Sequence, residues 1–269
     1  MTTPIALGRR LLHLPDQKTK LNLAVKVSII DALRSSRNNN GGHLSNGRAS
    51  LYRLSHQHGE RFLWACNSKS TSGIILTWQI ATSILEVRYH VTKQGSSSVT
   101  SDRHRVVATH LSRYCVYLVA CCPELLPDDD AWSKNLYKDV TKDAEQVLSR
   151  QALSKSTCTL DYYQQLVQLL CEKSKHPVLE DGAKLGKQVV ETIGDEEAAW
   201  KLLADFWSEM ILYVAPSDNL KGHKESIARG GELITLLWAL LGHAGIVSRT
   251  TSDHAPRAAA GTSSAGVII

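Results

Sequence analysis

The side chains best suited to proton chemistry lie late in the chain. Glu209 stands inside an otherwise apolar run, LADFWSEMILYV (203–214), and His223, Arg229, Glu232 and His243 follow it. A carboxylate beside an imidazole can relay a proton, so Glu209, His223, Glu232 and His243 could form an acid/base pair if the fold gathers them. Arg229 could hold one of those carboxylates through paired N–H donors. Buried polar residues more often serve as hydrogen-bonded locks between helices. We read this polar set as structural, and assign no catalytic, cofactor-binding or metal-ligating residue. A hydrolase-like or other acid/base enzyme is the alternative.

Other candidates carry less. His56, His58 and Glu60 alternate, which on a strand would put three metal ligands on one face. They stand in a turn-rich stretch and read as a solvated loop. Asp128, Asp129 and Asp130 precede a helical pattern, where acids suit the positive N-terminal end. A metal triad would need further ligands in a binding loop, and none follows. The sequence holds no nucleophile elbow, P-loop or zinc-protease helix motif. RGGE (229–232) is neither G-x-G-x-x-G nor preceded by a strand. The six cysteines form no C-x-x-C pair; Cys115, Cys121 and Cys122 lie in apolar helical sequence and read as buried free thiols of a reducing compartment.

Composition bounds the class. The chain has 269 residues, 43% hydrophobic and 21% charged, as expected of a globular protein with a sizeable core. Its net charge of +5 conceals a split. Residues 1–120 carry sixteen Lys or Arg against five Asp or Glu, and residues 121–269 carry fifteen against twenty-one. Such a split allows a basic half to face an anionic membrane, or the two halves simply to attract each other. The basic residues are dispersed and no nucleic-acid-binding signature is present, so nucleic acid is not an expected partner. No apolar stretch reaches the length of a membrane span, and Pro15 ends the short apolar run after Arg9 and Arg10.

The elements that must position these residues are helical. Leu21, Val25, Ile29 and Leu33 form one stripe, stopped by NNNGG (38–42). Residues 44–66 read as a short helix with Asn46 as a possible cap, or as a hairpin around HQHG; we favour the helix. GIILTWQIATSILEVRYH (73–90) is apolar almost all round, which predicts a central buried helix. A polar stretch near 91–101 is the best internal linker, after which Asp102 caps the next helix. Further helices are expected over 133–150, 160–175, 178–193 and the run after Asp195. Ser217 or Asp218 then caps a last long helix, in which Ile227, Gly231, Ile234, Trp238 and Leu241 share a face and Gly245 ends the run. The expected architecture is a compact all-α domain of about eight to nine helices, with a central buried C-terminal helix. It occupies 17–247, between a weakly ordered N-terminus (1–16) and a disordered tail (248–269).

The stretch LADFWSEMILYVAPSDNLKGHKESIARGGELITLLWALLGHAGI (203–246) closely resembles the signature of a plant, grass-abundant C-terminal domain of unknown function, the family numbered 594. LSNGRASL (44–51), LWAC (63–66), WQIAT (78–82) and CPELLP (122–127) match it too, so the resemblance covers about residues 20–247. The family usually has a histidine where this chain has Gln79; glutamine keeps a hydrogen-bonding role but not imidazole chemistry. Members normally carry this domain after a multi-pass membrane region, itself the domain of unknown function numbered 4220. The resemblance implies a soluble domain held at the cytoplasmic side of a membrane in its relatives, and no activity. The expectation is a non-enzymatic helical interaction module without cofactor, with an unknown protein partner and an anionic membrane surface as partners. A truncated, non-functional fragment is a further alternative.

Overall fold

The computed structural model describes residues 11–12, 21–39, 43–54, 59–68, 70–89, 99–150, 159–228 and 232–246. Among them the chain is all-α, as expected, with no strand. The helices are α1 (Leu23–Asn39), α2 (Arg48–Arg53), α3 (Thr71–Tyr89), α4 (Val99–Cys121), α5 (Asp130–Arg150), α6 (Thr159–Lys173), α7 (Pro177–Ile193), α8 (Glu196–Val214), α9 (Leu220–Ala228) and α10 (Leu233–His243). Two 3-10 segments, Glu60–Cys66 and Pro123–Leu125, join them. No described helix is long and apolar enough to cross a membrane.

The all-round apolar helix takes the centre, as its sequence predicts. From Thr71 to Leu85 every residue of α3 is buried. It packs on α4, α6 and α7, while α8 packs on α4, α1 and α2. Aromatic rings join the two groups. Trp78 of α3 stacks on Phe206 of α8, with centroids 3.7 Å apart, and Phe206 meets Trp207 edge-on. The Trp207 indole N–H donates to Thr82 Oγ1 at 3.0 Å, which satisfies a buried donor inside that contact.

Close approach of α7 to α3 depends on two glycines one turn apart. A Cβ at Gly182 would lie 2.6 Å from Ile80 Cβ and 3.0 Å from the Thr77 carbonyl oxygen. One at Gly186 would lie 3.0 Å from Ile84. Local signals set the ends of α7: Pro177 occupies the first turn, His176 Nδ1 accepts from Val178 N, and Gly194, at φ 68°, closes it.

The structure revises several boundaries. The favoured short helix exists as α2, but its cap is Gly47, at φ 86°, and not Asn46. Asn46 Nδ2 donates instead to the Cys66 carbonyl. Helix α4 begins at Val99, so Asp102 lies in its first turn and pairs with Arg105 at 2.8 Å; it does not precede the helix. Leu11 and Leu12 belong to the core although the N-terminus read as weakly ordered. The Leu11 carbonyl accepts from Gln79 Nε2 (3.3 Å) and Ser83 Oγ (3.2 Å). The remaining residues of 1–16, those of 90–98 and the tail from 247 lie outside the described residues.

The largest correction concerns the C-terminal helix. Two short helices replace one long one, because Glu232 takes an extended backbone (φ −117°, ψ 151°) and opens α10 afresh. Asn219, not Ser217 or Asp218, caps α9 by accepting from Gly222 N at 2.9 Å. Helix α10 is peripheral, not central: Ile234, Thr235, Leu237 and Leu241 are buried, but Leu236 is 68% exposed. Ile227, placed by periodicity on the buried face, is 60% exposed. Gly245 does end the helix as read, at φ 70°. The amide of Ile246 reaches back to the Leu241 carbonyl at 2.9 Å, and both side chains are buried.

Candidate functional site

Glu209 is held by α8 against the start of α2. Its carboxylate accepts from Ser50 N at 2.9 Å, from Ser45 Oγ at 3.1 Å and from Arg53 Nη2. The Ser45 hydroxyl oxygen also accepts from Ala49 N. Gly47 offers no side chain to cap α2, so Ser45 and Glu209 take up its first amide donors. Burial pushes the Glu209 carboxyl above the usual carboxylate range, while Arg53 and the Ser50 amide pull it back. Arg53 is itself 40% exposed, so solvent shares in balancing its charge. The pair also joins the basic N-terminal half to the acidic C-terminal half.

The same device recurs. Asp128 accepts from Thr71 N (3.1 Å) and Ser72 N (2.6 Å), so it caps α3 from more than fifty residues away. Only Asp129, which accepts from Trp132 N at 2.8 Å, and Asp130 serve the helix that follows them. Asp143, on α5, accepts from Lys175 N (2.7 Å) and His176 N (2.8 Å), just before α7. Residues from one helix thus supply the caps of another. Asp128→Ala is expected to lower unfolding free energy by about 1–2 kcal/mol, as loss of a cap does. Asp130→Ala, at an exposed site, should stay within about 0.5 kcal/mol of the parent. Urea denaturation of the two variants checks the difference.

His223 of α9 is 1% exposed. Its Nδ1 lies 3.0 Å from Thr235 Oγ1, and Thr235 donates to Ser226 Oγ at 3.2 Å. The ring stacks on Trp238, centroids 4.4 Å apart. Burial holds the imidazole below its ordinary range. Glu232 faces other partners: Tyr117 donates to it at 3.2 Å, and Tyr114 lies 3.5 Å away while accepting from Ile234 N at 3.0 Å. His243 is exposed at the end of α10. Arg229, His56 and His58 lie outside the described residues, as does Gly231; Glu60 is exposed at the start of a 3-10 segment.

The structure therefore distributes the polar set over separate networks. No hydrogen bond or ion pair among the described residues joins any two of Glu209, His223, Glu232 and His243. Each buried member fastens one helix to another. The described residues contain no group of three or more His, Cys, Asp or Glu arranged to hold a metal. Gln79 is buried and donates to Leu11 O and Ser83 Oγ, so it tethers the N-terminal leucines to α3. Cys115 and Cys122 are buried free thiols, whereas Cys121 is exposed because it ends α4 on its outer side. Burial raises the Cys115 and Cys122 thiols above their usual range, which disfavours the nucleophilic thiolate.

Sequence reasoning missed Asp143, Arg53 and the tyrosine pair. Asp143 had a signal: it interrupts the buried stripe of Val140, Ala144 and Val147 on an amphipathic helix. Tyr114 and Tyr117 sit one turn apart on α4, but nothing local points them at Glu232.

Residues 192–246, which contain α8, α9 and α10, match the model of a family described as protein of unknown function, DUF594. The match supports that family for this stretch. No curated protein and no solved structure matches the chain.

Proposed function

We propose that the chain is a non-enzymatic helical interaction module that docks its basic N-terminal half on an anionic membrane surface. The observation that carries this reading is the outer face of α1. Leu23, Lys26, Ile30, Arg34 and Arg37 recur at helical spacing and are all exposed, Leu23 at 73% and Ile30 at 42%. Basic and apolar side chains interleaved on one solvent-facing stripe suit a layer of acidic headgroups over hydrocarbon. Asp31 opposes this only in part, since it lies beside Arg34 at 3.5 Å. The contact would be peripheral. In plant relatives that carry the domain after a multi-pass membrane region, that region would hold the same face near the bilayer.

Three cations at about 1 kcal/mol each predict at least about 10-fold tighter binding to phosphatidylserine-containing vesicles than to phosphatidylcholine vesicles. Raising salt should erase the difference. Co-sedimentation measures both; equal binding to the two vesicle types would exclude the charge-led mode.

A further inference from the structure

We propose that His223 is a proton-sensitive latch that holds α9 against α10 at the edge of the fold. Thr235 spends its one hydroxyl proton on Ser226, so its oxygen accepts from His223, and Nδ1 carries the imidazole proton. Nε2 then presents a lone pair, and it is buried with no hydrogen-bond partner among the described residues. A neutral ring tolerates that site. A second proton would place an N–H donor and a positive charge where no described residue accepts either. Stacking on Trp238 offsets part of the cost but supplies no acceptor.

Among the described residues, no charged neighbour compensates. On α9, Lys221, Lys224 and Glu225 are exposed, and Lys221 approaches Glu225. On α10, Glu232 is engaged by Tyr117, and His243 is exposed. In the adjoining 3-10 segment, no hydrogen bond or ion pair joins the Glu124 carboxylate to His223 among the described residues. On α8, Glu209 is committed to α2 and Arg53. Burial alone holds the His223 imidazole low.

The α9–α10 hairpin is a separable unit. It is tied to the body by Tyr114 and Tyr117, by Asn219, and by the buried Ile234, Leu237, Leu241 and Ile246. Such peripheral units open without global unfolding. With α9 and α10 apart the imidazole titrates near its ordinary value of ~6.5, and with them packed it titrates lower, so the opened state binds more protons between those values. Packing of α9 on α10 is thus fully favoured above about 6.5 and weakens as pH falls through that window.

Hydrogen exchange of the full chain, corrected for intrinsic rates, tests this at about pH 7.5 and about pH 5.5, either side of the ordinary imidazole value. Protection over 217–246 should fall several-fold at the lower pH, while that over 71–89 holds. His223→Asn keeps a donor for Thr235 and should lose this pH dependence. NMR titration of His223 in the unmodified chain gives an independent reading, expected below ~6.5. Equal pH dependence in His223→Asn, or an ordinary His223 titration with the hairpin still protected, overturns the latch.

Discussion

Replacing Glu209 with alanine is expected to lower unfolding free energy by about 2–3 kcal/mol, the cost of a buried amide left without its acceptor plus the cavity left behind. The amide is that of Ser50, held at 2.9 Å in the first turn of a six-residue helix that has no capping side chain of its own. The Arg53 ion pair adds little to this figure, because its guanidinium is substantially exposed. Glu209→Gln keeps one acceptor and should cost about 1 kcal/mol. The pH dependence separates the two effects. Burial raises the folded carboxyl above its unfolded value of ~4.3, so the native state binds more protons across that interval. Stability from this group therefore falls as pH rises through the folded value. The glutamine variant, which does not titrate, should gain on the parent over the same interval. Urea midpoints at several pH values measure this. A Glu209→Ala change within about 0.5 kcal/mol of the parent would contradict the capping role.

Gly182→Ala is expected to destabilise by about 1–3 kcal/mol, although the same change in an open helix gains up to about 1 kcal/mol. The added methyl would meet Ile80 Cβ at 2.6 Å in the most buried part of the molecule, with backbone oxygen of Thr77 also near. Helix α7 must then withdraw from α3. Gly186→Ala should cost less, because its nearest contacts stand at 3.0 Å and ask for only a few tenths of an ångström. Gly194→Ala has open space but a φ of 68°, so it should lose only about 1 kcal/mol through backbone strain. Thermal and urea unfolding of the three variants should rank Gly182 first. Stabilisation by Gly182→Ala would refute the packing.

Features carried by local chemistry were legible in the sequence. The all-round apolarity of 73–90 gave the central helix, Asp195 capped α8 by accepting from Ala198 N, and Gly245 ended α10. Features set by distant partners were not. No spacing rule links Glu209 to Ser50, or Asp128 to Thr71. The C-terminal helix was misread for a related reason. Uncharged sequence from Leu233 to Leu241 implies burial on all sides, but the described residues cover only one side of this helix. Here α8, α9 and Tyr114 cover one face, and Leu236 and Leu240 remain outside. The register read through this stretch breaks at Glu232, whose extended backbone opens α10 afresh. Within the polar set, residue types announced buried hydrogen bonding, while the division into separate networks required the fold.

Vesicle binding by the chain in which Lys26, Arg34 and Arg37 are all replaced by glutamine tests the docking reading most directly. These side chains are exposed on α1, so the unfolding transition should match that of the parent. Affinity for phosphatidylserine-containing vesicles should fall by about 10-fold or more, to the level seen with neutral vesicles. Unchanged affinity in the triple variant, or no binding by the parent, would contradict a module that reads an anionic surface through α1.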